Sequence, residues 1–381
     1  MRITDISVVL HDRRTDVLKV FGVRDGRLPM GVLRILTDEG IEGNCFVSSP
    51  GPGAAAVAEQ IVRFIKPLLI EQDPLDVGIH WARMHRVSRN VDPMAIGVVD
   101  IALWDIVGKV AGLPVHRLLG TCRDHVPAYF SSGHHDGPEE YAAEAVYWRD
   151  RGWKGYKLHP PSASWDARPR GPIGADIEAC RAVREAVGDD MVLMHDASWG
   201  YTYIEALEVG LALEQLGYDW YEDPLPPDDI YGYTKLKQYL RIPILATELT
   251  GGGLWGLPPW IEAKATDALR GDVVIKGGIT GMMKIAHLAE AYRMNCEVHT
   301  AYNALSNVAT VHVTMAIPNC DWFEVLAFNP ADHYELEHLS YGLARPIEID
   351  GDGNVNAPDE PGLGFGVDWE LIESARIGVV A

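Results

Sequence analysis

What this 381-residue chain is short of already narrows its role. Basic residues are scarce: 33 lysines and arginines stand against 54 aspartates and glutamates, a formal net charge of −21 at pH 7. With no basic block to offset that balance, nucleic acid and anionic membrane surfaces are poor partners. An anionic small substrate stays open, because a bound cation can reverse the local sign. Cysteines number five (Cys45, Cys122, Cys180, Cys296, Cys320), an odd count, widely spaced and without a CxxC. That reads as buried free thiols in a reducing compartment rather than as a disulfide frame. No run of about 18 apolar residues occurs, so no membrane-spanning helix is expected. The opening MRITDISVVLHDRR lacks a cationic stretch followed by an apolar one, so no export signal is expected and a cytoplasmic location is.

What is present suits a folded enzyme-sized chain. At 47% hydrophobic residues there is apolar content for one large domain and a smaller one. Residues 1–50 alternate apolar and polar, with TDEG as turn chemistry between two strands. Residues 54–72 and 93–111 carry helical periodicity, the second ending at Gly112 with Pro114 just beyond. Residues 1–125 therefore read as an α+β domain.

From residue 126 short apolar strands alternate with amphipathic helices. The strands are expected at 127–131, 154–158, 191–195, 218–221, 243–247, 272–276, 296–299 and 322–326. About eight such units in roughly 215 residues fit a TIM-type barrel over 126–340. The remaining 341–381, rich in Gly and Pro, is expected to return to the first domain. Its DGDGN lacks the Gly and Glu of a calcium loop and reads as a hairpin turn.

Charges close the expected strands. Asp196, Glu222 and Glu248 end three successive ones, 26 residues apart in each step. Strand C-terminal ends of a barrel meet at one mouth, where active sites lie. Three carboxylates there repel one another unless a cation joins them, and an oxygen-only set suits a hard ion, Mg²⁺ first. Any one of these acids alone would pass for a solvated loop residue or a helix cap. Lys157 lies one strand earlier; Asp272 opens DVVIK, and His299 closes CEVH, across the mouth. A carboxylate accepting from one imidazole nitrogen fixes the tautomer and raises the basicity of the other. Two bases flanking a metal-held substrate suit removal of a proton α to a carboxylate.

These residues resemble the enolase superfamily, in its mandelate racemase subgroup. The likeness runs through DIALWDIVGKVAGLPVHRLLG, HD, YEDPLPP, ATEL, DVVIKGGITGMMKIAHLAE, EVHTA and APDEPGLG, in that order. It implies a modified (β/α)7β barrel, an α/β fold, with an N-terminal α+β capping domain. It further implies Mg²⁺ held by Asp196, Glu222 and Glu248, and a His299–Asp272 dyad. Glu324 on the eighth strand would donate a hydrogen bond to the substrate carboxylate. The family's second strand usually carries Lys-x-Lys; here it reads Lys157-x-His159. Lys157 then falls near the substrate carboxylate and metal, and His159 takes the place of the second base, as acid/base or as substrate contact. Ser198, and Arg24 from the cap segment His11–Pro29 that also holds Arg13 and Arg14, are further expected substrate contacts. The loop from Pro160 to Gly174, with Trp165, Arg168 and Arg170, is another candidate wall.

Relatives with this dyad often dehydrate sugar acids, so the implied activity is dehydration of an aldonate or aldarate to a 2-keto-3-deoxy acid. A racemase or epimerase, and a lactone cycloisomerase, use the same site. A Schiff-base aldolase on Lys157 or Lys276 and a non-catalytic scaffold are the readings from other classes. A homo-oligomer, dimer or octamer, is also implied.

Overall fold

The computed structural model describes residues 1–14, 27–48, 53–163, 171–300, 303–326 and 336–381. An antiparallel sheet forms first, from β1 (Ile3–Arg14), β2 (Arg27–Thr37) and β3 (Glu42–Val47), in the order β1-β2-β3. Eight parallel strands come next: β4 (His125–Ser131), β5 (Gly155–Leu158), β6 (Val192–Asp196), β7 (Trp220–Glu222), β8 (Ile244–Ala246), β9 (Ala268–Asp272), β10 (Asn295–His299) and β11 (Phe323–Leu326). Each pairs with its neighbour from β4 to β10, and β11 pairs with β4, which nearly closes the barrel. A helix succeeds each strand from β4 to β10, ending with Gly278–Ala291 and Ala304–Ala316. The fold class read from the sequence is the one observed.

The C-terminal segment returns to both layers. β12 (Asn354–Asn356) pairs with the start of β4, and β13 (Arg376–Val380) adds to β1, with Val8 opposite Val380. Between Asp350 and Asn354 the chain makes the expected turn, closed by the Gly353 N–H to the Asp350 carbonyl at 3.0 Å. Four cysteines are buried and free, while Cys122 is free and exposed. Among the described residues no helix is long and apolar enough to cross a membrane.

Two elements differ from expectation for visible reasons. The periodic stretch 54–72 breaks into Gly53–Gln60, a wide turn Ile61–Ile65 and Lys66–Leu69, with the Lys66 N–H reaching the Ile61 carbonyl. Pro67 has no N–H to continue the ordinary ladder, so the pitch widens just before it. The sixth barrel strand is ALRGD, not DVVIK; Asp272 ends it instead of opening it. Val274 and Ile275 turn away, their N–H groups donating to Asp272 Oδ1 at 2.7 and 3.0 Å.

The barrel interior explains that shift in the sixth strand. Its floor is apolar, with Tyr129, Met194, Trp220 and Leu245 in one cluster. Above it the inward side chains are charged and buried: Lys157, Glu222, Arg270 and Glu324. A strand crossing that height must carry polar residues, so hydrophobicity does not mark it.

The cap is seated beside the β9 end. Helix Pro93–Ala111 starts with the Asp92 side chain accepting from Met94 N and stops at Gly112, whose φ of 66° needs a residue without Cβ. A Cβ on Gly97 would lie 2.0 Å from the Val274 carbonyl oxygen, so this helix touches backbone just past Asp272. Asp100 accepts from Thr280 N at 2.9 Å, and Trp81 donates to the Gly277 carbonyl at 2.8 Å. A helix of the cap thus caps a helix of the barrel.

Candidate active site

One pocket at the barrel mouth is walled by Ser132, His134, His159, Asp196, Ser198, Glu248, His299 and Glu324. Lys157 and Glu222 lie beneath, 1% and 0% exposed. The strand ends carrying the carboxylates are locally strained: Ser198, Asp223 and Thr247 have φ of 46°, 39° and 90°. For β-branched Thr247 that conformation is costly, and it is held by exchange of two hydrogen bonds between its hydroxyl and the Arg270 backbone, at 3.0 and 3.1 Å.

On one side stands the expected dyad. His299 Nδ1 lies 3.0 Å from Asp272 Oδ2, and the other Asp272 oxygen is pinned by two backbone N–H groups. The ring is thereby fixed with Nε2 toward Glu248 and Glu324, 3.7 and 3.9 Å away. Burial opposes the imidazolium, yet the charges of Glu248 and Glu324 and the Asp272 hydrogen bond outweigh it and raise His299 to about 9.

At the centre Lys157 Nζ reaches Glu324 at 2.7 Å, Glu222 at 3.0 Å and Asp196 at 3.1 Å. Burial and Arg270 oppose its charge, but Glu222 and Glu324 hold the ammonium protonated well above the usual lysine range. It is no nucleophilic amine, which removes the aldolase reading for this lysine. Lys276 does not line this pocket; its amine donates to the Thr250 carbonyl at 2.9 Å.

Sequence reasoning missed Arg270. Fully buried, its guanidinium pairs with Glu222, Glu248 at 3.3 Å and Glu324 at 2.5 Å. Glu324, between Arg270 and Lys157, is held well below the usual carboxylate range even though burial works the other way. As it stands Glu324 is an ionised acceptor, unlike the hydrogen-bond donor that the resemblance implies.

The expected ligand trio is brought to one region but not around one point. Among the described residues no three His, Cys, Asp or Glu side chains are gathered as a metal-holding group. Glu222 and Glu248 are drawn onto Arg270, and Asp196 onto Lys157, His159 and Ser198. The donor chemistry still suits a hard divalent ion. Four buried carboxylates (Asp196, Glu222, Glu248, Glu324) face two fixed cations, and burial pushes Glu222 up beside that excess of negative charge.

His159 lies across the pocket from the dyad. Its Nδ1 lies 2.7 Å from the Ser132 carbonyl and its Nε2 lies 3.1 Å from Asp196 Oδ2. Its backbone is fixed too, N to Ser132 Oγ at 3.0 Å and its carbonyl to Tyr141 OH at 2.6 Å. Both ring nitrogens are engaged by protein. Ser198 does line the pocket, with its N–H on Asp196 Oδ1 at 2.8 Å. Arg24, Trp165, Arg168 and Arg170 lie outside the described residues. Arg13, in the same cap segment, sits in β1, 2% exposed, with its guanidinium 4.2 Å over the Tyr341 ring.

The comparisons agree with this architecture. Residues 9–120 match the mandelate racemase / muconate lactonizing enzyme N-terminal domain, and residues 140–371 the enolase C-terminal domain-like family. The chain belongs to the enolase superfamily, in its mandelate racemase / muconate lactonizing enzyme family. Arabinonate dehydratase of Saccharolobus solfataricus is 31% identical over 93% of this chain and 92% of its own. D-galactarolactone cycloisomerase of Agrobacterium fabrum is 29% identical over 99% of both. The structure of D-glucarate dehydratase from Agrobacterium tumefaciens, complexed with magnesium, superposes with a TM-score of 0.85 at 34% identity, covering 99% of this chain and 100% of its own.

Proposed function

We propose that this protein removes the proton α to the carboxylate of a sugar acid and expels the β-hydroxyl as water, giving a 2-keto-3-deoxy acid. Asp196, Glu222 and Glu248 would hold Mg²⁺, which when bound supplies positive charge against the doubly charged enediolate. His299 Nε2 takes the α-proton; Asp272 keeps the ring oriented and favours its charged form. The proton then passes from His299 to the departing hydroxyl, so the imidazole is regenerated as water leaves. His299 must be neutral to begin, and the negative charge that now keeps it protonated is the charge a divalent cation cancels.

One observation carries the choice among reactions. A racemase needs a working base on each face, and the His159 ring is held between two protein acceptors, the Ser132 carbonyl at Nδ1 and Asp196 Oδ2 at Nε2. A dyad on one face of the pocket alone favours elimination. Lactone cycloisomerisation needs only one base as well, and the similarity to a galactarolactone cycloisomerase keeps it as the second reading. Proton NMR with Mg²⁺ against aldonic acids, aldaric acids and their lactones tests the proposal. A keto-deoxy product from an open-chain acid is expected. Product from lactones alone would move the assignment to the cycloisomerase, and α-proton exchange without product would move it to a racemase.

A further inference from the structure

The side of the pocket opposite His299 is where a second imidazole is expected to act, and two histidines meet there. His159 and His134 have ring centroids 5.8 Å apart at 61°. His159 turns both nitrogens to protein acceptors, Nδ1 to the Ser132 carbonyl at 2.7 Å and Nε2 to Asp196 Oδ2 at 3.1 Å. His134, on the loop leaving β4, is half-buried at the pocket wall. Its Nδ1 lies 3.1 Å from the Pro160 carbonyl, which can only accept, so Nδ1 carries the hydrogen. In a neutral ring Nε2 is then a lone-pair acceptor, and among the described residues it has no hydrogen-bond partner. Burial, with His159 nearby, lowers His134 to about 4, and no carboxylate accepts from Nδ1 as Asp272 does for His299. Such a ring is a poor base and a good neutral acceptor.

We propose that His134 Nε2 accepts a hydrogen bond from a hydroxyl of the substrate's polyol chain, which makes His134 a specificity-determining residue and gives the Lys157 side of the pocket a binding role. The inference rests on the sugar-acid reading of the site. An acceptor that a bound ligand shuts off from water and leaves unpaired penalises any ligand lacking the matching hydroxyl, so His134 selects hydroxylated acids over simple ones.

The test is equilibrium binding in the His299→Asn protein with Mg²⁺, where turnover does not interfere. The probes are D-arabinonate, D-glucarate and D-galactonate, with 2-hydroxybutyrate as a control that keeps the carboxylate and α-hydroxyl but has no polyol chain. Adding His134→Phe should weaken the best sugar acid by roughly tenfold, the loss of one buried hydrogen bond, and leave 2-hydroxybutyrate unchanged. His134→Gln, whose amide oxygen can accept, should recover much of the affinity and guards against a folding defect in the Phe variant. Equal sugar-acid affinity with and without His134, or parallel loss for 2-hydroxybutyrate, overturns the inference. If no sugar acid binds even with His134 present, the sugar-acid reading fails and takes this inference with it.

Discussion

Arg270→Met isolates the role of the buried guanidinium. The side chain is fully buried among Glu222, Glu248 and Glu324, and Lys157 and the His299 imidazolium would be left to balance them and Asp196. Removing one partner of a buried charge cluster costs about 3–5 kcal/mol, because the others are left uncompensated in a poorly polarisable interior. For a chain of 381 residues that corresponds to a fall in Tm of roughly 4–6 °C, taking about 2.1 cal/mol/K of unfolding entropy per residue. The cost falls on the metal-free state. Mg²⁺ would restore positive charge beside the same carboxylates, so its stabilising shift should be larger in the variant than in the parent. Differential scanning calorimetry of both proteins, with EDTA and with saturating Mg²⁺, reads this directly. A variant as stable as the parent in EDTA, or equal Mg²⁺ shifts in the two proteins, would refute the charge-balance argument.

The interface between cap and barrel gives further outcomes. Burial pushes the Asp100 carboxyl up to about 7. A carboxyl raised on folding contributes its stability below its unfolded value and loses it as pH rises through the folded one. Asp100→Asn should therefore raise Tm at pH 8 and change little at pH 4; a pH-independent effect would contradict the assignment. Gly97→Ala places a methyl 2.0 Å from the Val274 carbonyl oxygen, whose own N–H holds Asp272. It should cost about 1–3 kcal/mol in urea unfolding and lower kcat as well, whereas unchanged kcat would mean the dyad is not supported from the cap.

Much of the barrel is readable in the sequence because strand ends repeat. Asp196, Glu222 and Glu248 each terminate a short apolar run, so rhythm and residue type point the same way. The sixth strand breaks that rule: DVVIK is apolar and β-branched, while the real strand ALRGD carries a buried arginine into a charged layer. Arg270 has no local signal, since Glu248 and Glu324 lie 22 and 54 residues away. Occupation of both His159 nitrogens depends on Ser132 and Asp196, 27 and 37 residues distant. His134 sits in SSGHHDG, which reads as turn chemistry until β4 places it on the pocket wall. Periodicity finds residues on elements; it does not find pairings made across the barrel.

The claim that His299, oriented by Asp272, removes an α-proton is tested most directly by hydrogen–deuterium exchange at the α-carbon. Wild-type protein and His299→Asn are incubated in D₂O with Mg²⁺ and the most tightly bound sugar acid, and the α-proton signal of remaining substrate and product is followed by NMR. The account predicts turnover with the wild-type protein, and neither exchange nor product with His299→Asn although Mg²⁺ binding persists. Undiminished proton loss in the variant would contradict it and move the base elsewhere in the pocket.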